Sequence, residues 1–263
     1  YVDIPAFYKK IFKGFMYSGR LNVWNRRVLP LAKKICADQK IDIIHQITPI
    51  EFRAIGDYGK IANIKFVCGP LGGGESLPNG LKDYAKGHEI IEVVRSGINR
   101  WYRFKLRITG KLNHCDYIMF ANKETRDFLG LDENFPLVTE IAADEISIEK
   151  RTISNDINDE RVFLFAGRMV YRKGPELLFD AIMEIPDEWK YIVKIVGDGP
   201  DFLHLKHRCE SNSLLSAHVQ FMGAVQYSEM QREYELSDVL IMPSIRETTG
   251  TVLIEAMSQG MPV

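Results

Sequence analysis

Apolar residues recur at Leu21, Trp24, Val28, Leu31, Ala32 and Ile35. This spacing predicts a helix over 21–39, with its lysines and arginines off the apolar side. The run that follows, 41–45 (IDIIH), is short and β-branched and reads as a buried parallel strand, and 64–68 (IKFVC) reads as the next. Residues 115–121 (CDYIMFA) repeat the strand pattern, and 122–129 opens like a helix. After a polar stretch without periodicity at 147–160 (SIEKRTISNDINDE), the alternation becomes regular. Strands are expected at 161–166, 191–196, 219–222 and 239–242, and helices at 175–184, 201–213, 228–236 and 251–259. Strands alternating with helices predict an α/β protein built on doubly wound parallel sheets. The polar stretch is read as a linker between a first domain, 1–146, and a second, 161–263.

Composition agrees with two domains, since 263 residues at 46% apolar and 26% charged exceed the usual size of one. Charge is uneven: residues 1–114 hold 20 Lys/Arg against 9 Asp/Glu, whereas the remainder holds 14 against 26. A basic first half implies an anionic partner there, with lipid, nucleic acid and phosphorylated substrate all eligible, or a preference of one half for the other. Cys36, Cys68, Cys115 and Cys209 form no CxxC pair and are expected to be free thiols in a reducing compartment. There is no secretory pattern and no apolar run of membrane-spanning length, so a cytoplasmic location is expected. The chain starts at Tyr1 without a Met and stops at Val263 in an apolar run, which reads as a fragment, with the first domain's start and the second domain's end missing.

Three segments carry candidate chemistry. In 166–176 (AGRMVYRKGPE) a strand ends at a glycine, Arg168 and Lys173 follow, and Pro175 opens a helix. Cations beside a helix N-terminus suit an anion such as a diphosphate, or are simply a solvated loop. In 196–200 (VGDGP) a second glycine turn follows a strand and reads as supporting architecture. In 243–263 (PSIRETTGTVLIEAMSQGMPV) Glu247 and Glu255 bracket a turn at Gly250. Glu255 falls one turn into the helix, so both carboxylates can face one cleft and accept hydrogen bonds from sugar or ribose hydroxyls. The amides of Thr249, Gly250 and Thr251 can point at phosphate.

Taken together, these segments resemble the nucleotide-sugar domain of retaining GT-B glycosyltransferases, of the group 1 or family 4 type, with their GR-x4-KG loop and E-x7-E segment. The resemblance covers 161–263 closely, where VGDGP, VQFMGAV and SDVLIMPS also stand in order. It implies two Rossmann-like domains facing a cleft. It further implies that Arg168 and Lys173 hold the donor diphosphate, Glu255 the ribose and Glu247 the transferred sugar, with the Gly250 turn adding amides and 223–227 bordering the base. Thr248 and Thr249 replace the glycine and aromatic usual after the first Glu, which bears on sugar preference. The front half resembles the acceptor domain more patchily, through DIIHQITPIEFR, GPLGGGE and CDYIMFANKET. There His45 is the candidate for the catalytic histidine that members carry near the cleft, since the GPLGGG loop has none. The family's first strand and its Gly-rich acceptor loop would precede Tyr1.

His204, His207 and Cys209 lie on a polar helix without a fourth ligand, and no Asp-x-Asp motif occurs, so neither a metal nor another cofactor is expected. Residues 95–111 (RSGINRWYRFKLRITGK) hold six cations and no acid. They suit either a basic helix on anionic lipid at the inner face of the membrane or a helix packed through Val94, Ile98, Trp101 and Ile108 with a solvated face. No nucleic-acid motif accompanies them. The function expected is sugar transfer from a nucleotide-diphosphate donor to a glycan or lipid-linked acceptor. A non-catalytic nucleotide-sugar-binding subunit and a nucleotide-sugar epimerase are the alternatives.

Overall fold

A computed structural model describes residues 2–12, 16–142, 159–186 and 188–263, so all but the last two residues of the expected linker lie outside the described residues. The chain forms two units, one of Tyr1–Ser76 and His88–Glu140, the other of Leu77–Gly87 and Ile141–Val263.

In the first unit the order is α1 (Ala6–Ile11), α2 (Tyr17–Asp38), β1 (Ile43–Gln46), β2 (Lys65–Leu71), α3 (Glu89–Thr109), β3 (Tyr117–Phe120) and α4 (Lys123–Leu129). The strands form one parallel sheet in the order β1-β2-β3. Its core gathers Phe52, Ile55, Phe66, Leu71, Leu106 and Phe120. Asn122 caps α4 by accepting a hydrogen bond from Thr125 N at 2.9 Å, and Gly130 closes it at φ 75°. The reading of 41–45 as a buried strand is corrected: β1 is the sheet edge among the described residues, and Ile43 is 59% exposed. Cys68 and Cys115, 47 positions apart in sequence, are hydrogen-bonded neighbours, which raises the Cys68 thiol pKa and lowers that of Cys115.

The packing expected for 95–111 is also corrected. α3 turns Glu92, Arg95, Asn99 and Leu106 inward and leaves Ile90, Val93, Trp101, Phe104 and Ile108 exposed. The reason lies in the glycine loop after β2, whose backbone groups need partners. Arg95 donates from Nη1 to the Glu75 carbonyl at 2.6 Å and from Nη2 to the Gly73 carbonyl at 3.2 Å, and Asn99 Nδ2 donates to the same Gly73 oxygen at 3.0 Å. The Glu75 carboxylate accepts from Gly73 N at 3.0 Å and Asn122 Nδ2 at 2.7 Å, and lies 3.5 Å from Arg95 Nη2. Polar residues therefore occupy the inward face, and the face that a hydrophobic pattern would assign to the core is left exposed.

The second unit runs β4 (Arg161–Ala166), α5 (Pro175–Met183), β5 (Tyr191–Val196), α6 (Phe202–Glu210), α7 (Ser213–His218), β6 (Val219–Gly223), α8 (Tyr227–Glu235), β7 (Val239–Leu240) and α9 (Thr251–Ser258). Its parallel sheet has the order β6-β5-β4-β7. Side chains alternate across β4: Phe163 and Phe165 join a core with Phe179, Ile182 and Leu205, while Leu164 and Ala166 join one with Tyr234, Leu240 and Ala256. Both faces are thus covered, as a doubly wound sheet requires. The single helix expected at 201–213 is two, because Asn212 accepts from Leu215 N at 3.0 Å and starts α7. Residues 77–87 join this unit through the turn Asn79–Ala85, where Tyr84 bonds to Asp180 and its phenol pKa is raised by that carboxylate.

Candidate functional site

The site residues of the second unit stand on loops that leave the carboxyl ends of β4 and β7, where open α/β sheets bind ligands. β4 gives way at Ala166 to a loop that carries Arg168 and Lys173 and ends at Gly174. Gly174 has φ 71°, and a Cβ there would lie 2.0 Å from the Pro243 carbonyl oxygen, so only glycine lets this loop approach the one after β7. The two loops are then stitched together: Ile245 N donates to Arg172 O at 3.0 Å, and Lys173 Nζ bonds the Glu247 carboxylate. Both side chains of that pair are about four-fifths buried, at 17% and 19% exposure. Arg168 is exposed on the same loop. The VGDGP turn backs the assembly, because a Cβ on Gly197 would lie 1.9 Å from the Gly167 carbonyl oxygen.

Glu255 stands one turn into α9 and accepts a hydrogen bond from Tyr234 Oη at 2.7 Å. Tyr234 is buried on α8, and burial, followed by the Glu255 carboxylate, drives its phenol pKa far above the usual range. The phenol is therefore a permanent donor that fixes one Glu255 oxygen and leaves the other for a ligand. No side chain caps α9 at Gly250 and no acid stands in its first turn, so Thr249, Gly250 and Thr251 lead into a helix start of positive dipole.

The structure thus brings Lys173 and Glu247 into contact, with Arg168 on the loop of the first and Glu255 downstream of the second. His45 belongs to the first unit, where its Nε2 lies 2.8 Å from the Gly69 carbonyl oxygen. It borders a cavity of about 400 Å3 whose walls include Trp24, Val28 and Ile44. Tyr234 had no sequence signal, since its partner lies 21 positions away and its helix reads only as amphipathic. Tyr234→Phe is expected to lower stability by about 1 kcal/mol, because a half-buried carboxylate loses its donor. Thermal denaturation checks this, and an unchanged midpoint would show that the bond contributes nothing.

Residues 147–263 match the family model described as "Glycosyl transferases group 1". This segment is similar to that group. An uncharacterized glycosyltransferase of Methanocaldococcus jannaschii is 34% identical over 106 residues, which cover 40% of this chain and 27% of the relative. The lipopolysaccharide outer core galactosyltransferase WaaB, in its apo form, superposes with a TM-score of 0.60 at 18% identity, over 91% of this chain and 60% of its own. Anabaena HepE, solved with UDP and glucose, gives 0.54 at 17% identity, over 95% of this chain and 64% of its own. At such identities the likeness establishes the fold, which is GT-B, as expected from the sequence. The chain spans about a quarter of the first relative and under two thirds of either solved chain. Within the matched segment, the Lys173–Glu247 contact and the Tyr234–Glu255 bond are the two fixed points of the candidate site.

Proposed function

We propose that the chain carries the donor site of a glycosyltransferase that moves a sugar from a nucleotide-diphosphate donor to a hydroxyl of a glycan or lipid-linked acceptor. Transfer proceeds with retention of anomeric configuration and without a metal ion. The observation that carries this reading is the stitching of the Arg168–Lys173 loop to the Glu247 loop beside the start of α9. Arg168, Lys173 and the amides at 249–251 supply positive charge where the diphosphate departs, and Glu247 and Glu255 supply acceptors for sugar and ribose hydroxyls. Lys173 meets Glu247 directly, so the group that would neutralise the leaving phosphate is already joined to the group that would hold the sugar. His45 is proposed as a catalytic residue on the acceptor side. The UDP and glucose in the Anabaena protein are ligands of the class this site fits. The test is transfer by the full-length protein across a panel of nucleotide sugars and acceptors. Product of retained configuration supports the reading, and tight binding of a nucleotide diphosphate without turnover on any pair overturns it in favour of a binding subunit. Conversion of free donor without acceptor would instead mark an epimerase.

We also infer a peripheral association with anionic membrane through α3. No helix among the described residues is long and apolar enough to cross a membrane. Ile90, Val93, Trp101, Phe104 and Ile108 follow one another at steps of three, eight, three and four and lie 79%, 71%, 54%, 60% and 68% exposed along one side of α3. Arg100 and Arg107 are exposed on the same helix, so an apolar stripe with cations meets lipid tails and headgroups together. Trp101→Ser with Phe104→Ser is expected to reduce cosedimentation with phosphatidylserine vesicles several-fold while leaving the melting temperature in place. Equal sedimentation of the variant would sink the idea.

A further inference from the structure

In the first unit, α2, α3 and the turns entering β2 and β3 close around a polar cavity of about 230 Å3. Four cations line it: Arg26, Lys60, Lys105 and Lys111. Among the described residues the single acid in the wall is Asp57, whose two oxygens lie 3.4 Å from Lys60 Nζ and 3.4 Å from Lys111 Nζ. One carboxylate therefore holds two ammonium groups in place, and the wall keeps a formal surplus of three positive charges.

The walls are built to stay in position. Asn22 is tied to the Ser18 and Arg53 carbonyls, and Asn25 to the Ala54 carbonyl and the Tyr58 hydroxyl. Lys105 Nζ stands 5.1 Å from the Trp101 ring centroid and 5.6 Å from that of Tyr102, which fixes its stem. Lys111, 19% exposed, has its ammonium pKa lowered by burial first and then by Lys105 and Lys60, against the pull of Asp57. Gathering like charges in a recess is unfavourable unless a ligand of opposite charge completes it.

We propose that this cavity is a binding site for a phosphate group, separate from the donor site in the second unit. A phosphoryl dianion offsets two of the three surplus charges, and its oxygens match the fork of Arg26 and the ammonium groups. A carboxylate would leave two charges unmet. Lys60 and Lys111 stand on turns that lead into β2 and β3, not on the loops leaving their carboxyl ends, so the site is not a piece of the expected acceptor cleft. It stands whether or not the protein transfers sugar. The phosphate can belong to a small phosphomonoester or to a lipid headgroup.

The experiment uses the full-length protein and two probes, sn-glycerol 3-phosphate in solution and phosphatidylcholine vesicles with or without phosphatidic acid. Binding is measured by calorimetry and by cosedimentation, for the wild type, Lys60→Gln with Lys111→Gln, and Arg168→Ala with Lys173→Ala. The expected result is binding that survives the second pair of changes and weakens about tenfold or more with the first, since each lost charged hydrogen bond is worth about a factor of ten. Binding of the soluble probe marks a phosphomonoester site, and binding of phosphatidic acid vesicles alone marks a headgroup site. Arg26→Gln alters an exposed side chain and gives the same readout should the lysine pair fail to fold. Binding of neither probe, or binding abolished by the donor-site changes and untouched by those in the cavity, overturns the proposal.

Discussion

Glu75→Ala is expected to destabilise the protein by about 3–5 kcal/mol, the cost of leaving one member of a buried ion pair alone. The side chains of Arg95 and Glu75 are 9% and 6% exposed, so water cannot take over for the missing carboxylate. The loss spreads, because Glu75 also accepts from Gly73 N and Asn122 Nδ2, and Asn122 caps α4. Truncation therefore loosens the glycine loop and the α4 start and strands the Arg95 guanidinium. A drop in thermal midpoint on the order of 10 °C should follow. Glu75→Gln retains the shape and one acceptor and should lose roughly half as much. A Glu75→Ala protein that melts within about 2 °C of wild type would show that the network carries no stability.

Arg168→Ala combined with Lys173→Ala should reduce sugar transfer by the full-length protein at least about a thousandfold, since removing one preorganised charge from a developing anion costs about 10²–10³ in rate. The change should appear in kcat more than in KM, because leaving-group charge is largest in the transition state. Lys173→Ala also leaves Glu247 without its ammonium partner, so Glu247→Gln in the Lys173→Ala background separates the cost of an unpaired carboxylate from the loss of a phosphate contact. A double variant that transfers within tenfold of wild type would remove the basis for the donor assignment.

The second unit was legible because its elements obey one rule each. Residues 161–166 and 191–196 are apolar runs broken only by Arg161 and Lys194, and the strands occupy those very positions. The loop positions of Arg168, Lys173 and Glu247 followed from the strand ends, but their contact did not. It depends on Gly174 passing the Pro243 carbonyl, a long-range approach that no local pattern encodes. α3 misled for a related reason. Its periodicity is genuine, yet the apolar side faces outward because the glycine loop claims the polar side, and periodicity gives the spacing of a stripe without its direction. Asn212 could have been read as a helix start from its capping type, whereas the meeting of Cys68 and Cys115 needed the parallel pairing of β2 and β3.

The assignment of Leu77–Gly87 to the second unit bears on how this protein can be cut and recombined. The second unit is woven from two stretches of chain, so a truncation beginning at Ile141 is not a natural module. Such a piece would lose Tyr84 from Asp180, the carboxylate that also pairs with Arg208. A chimaera that exchanges this unit between relatives must carry the short stretch along with the long one, or it inherits an interface with one partner missing.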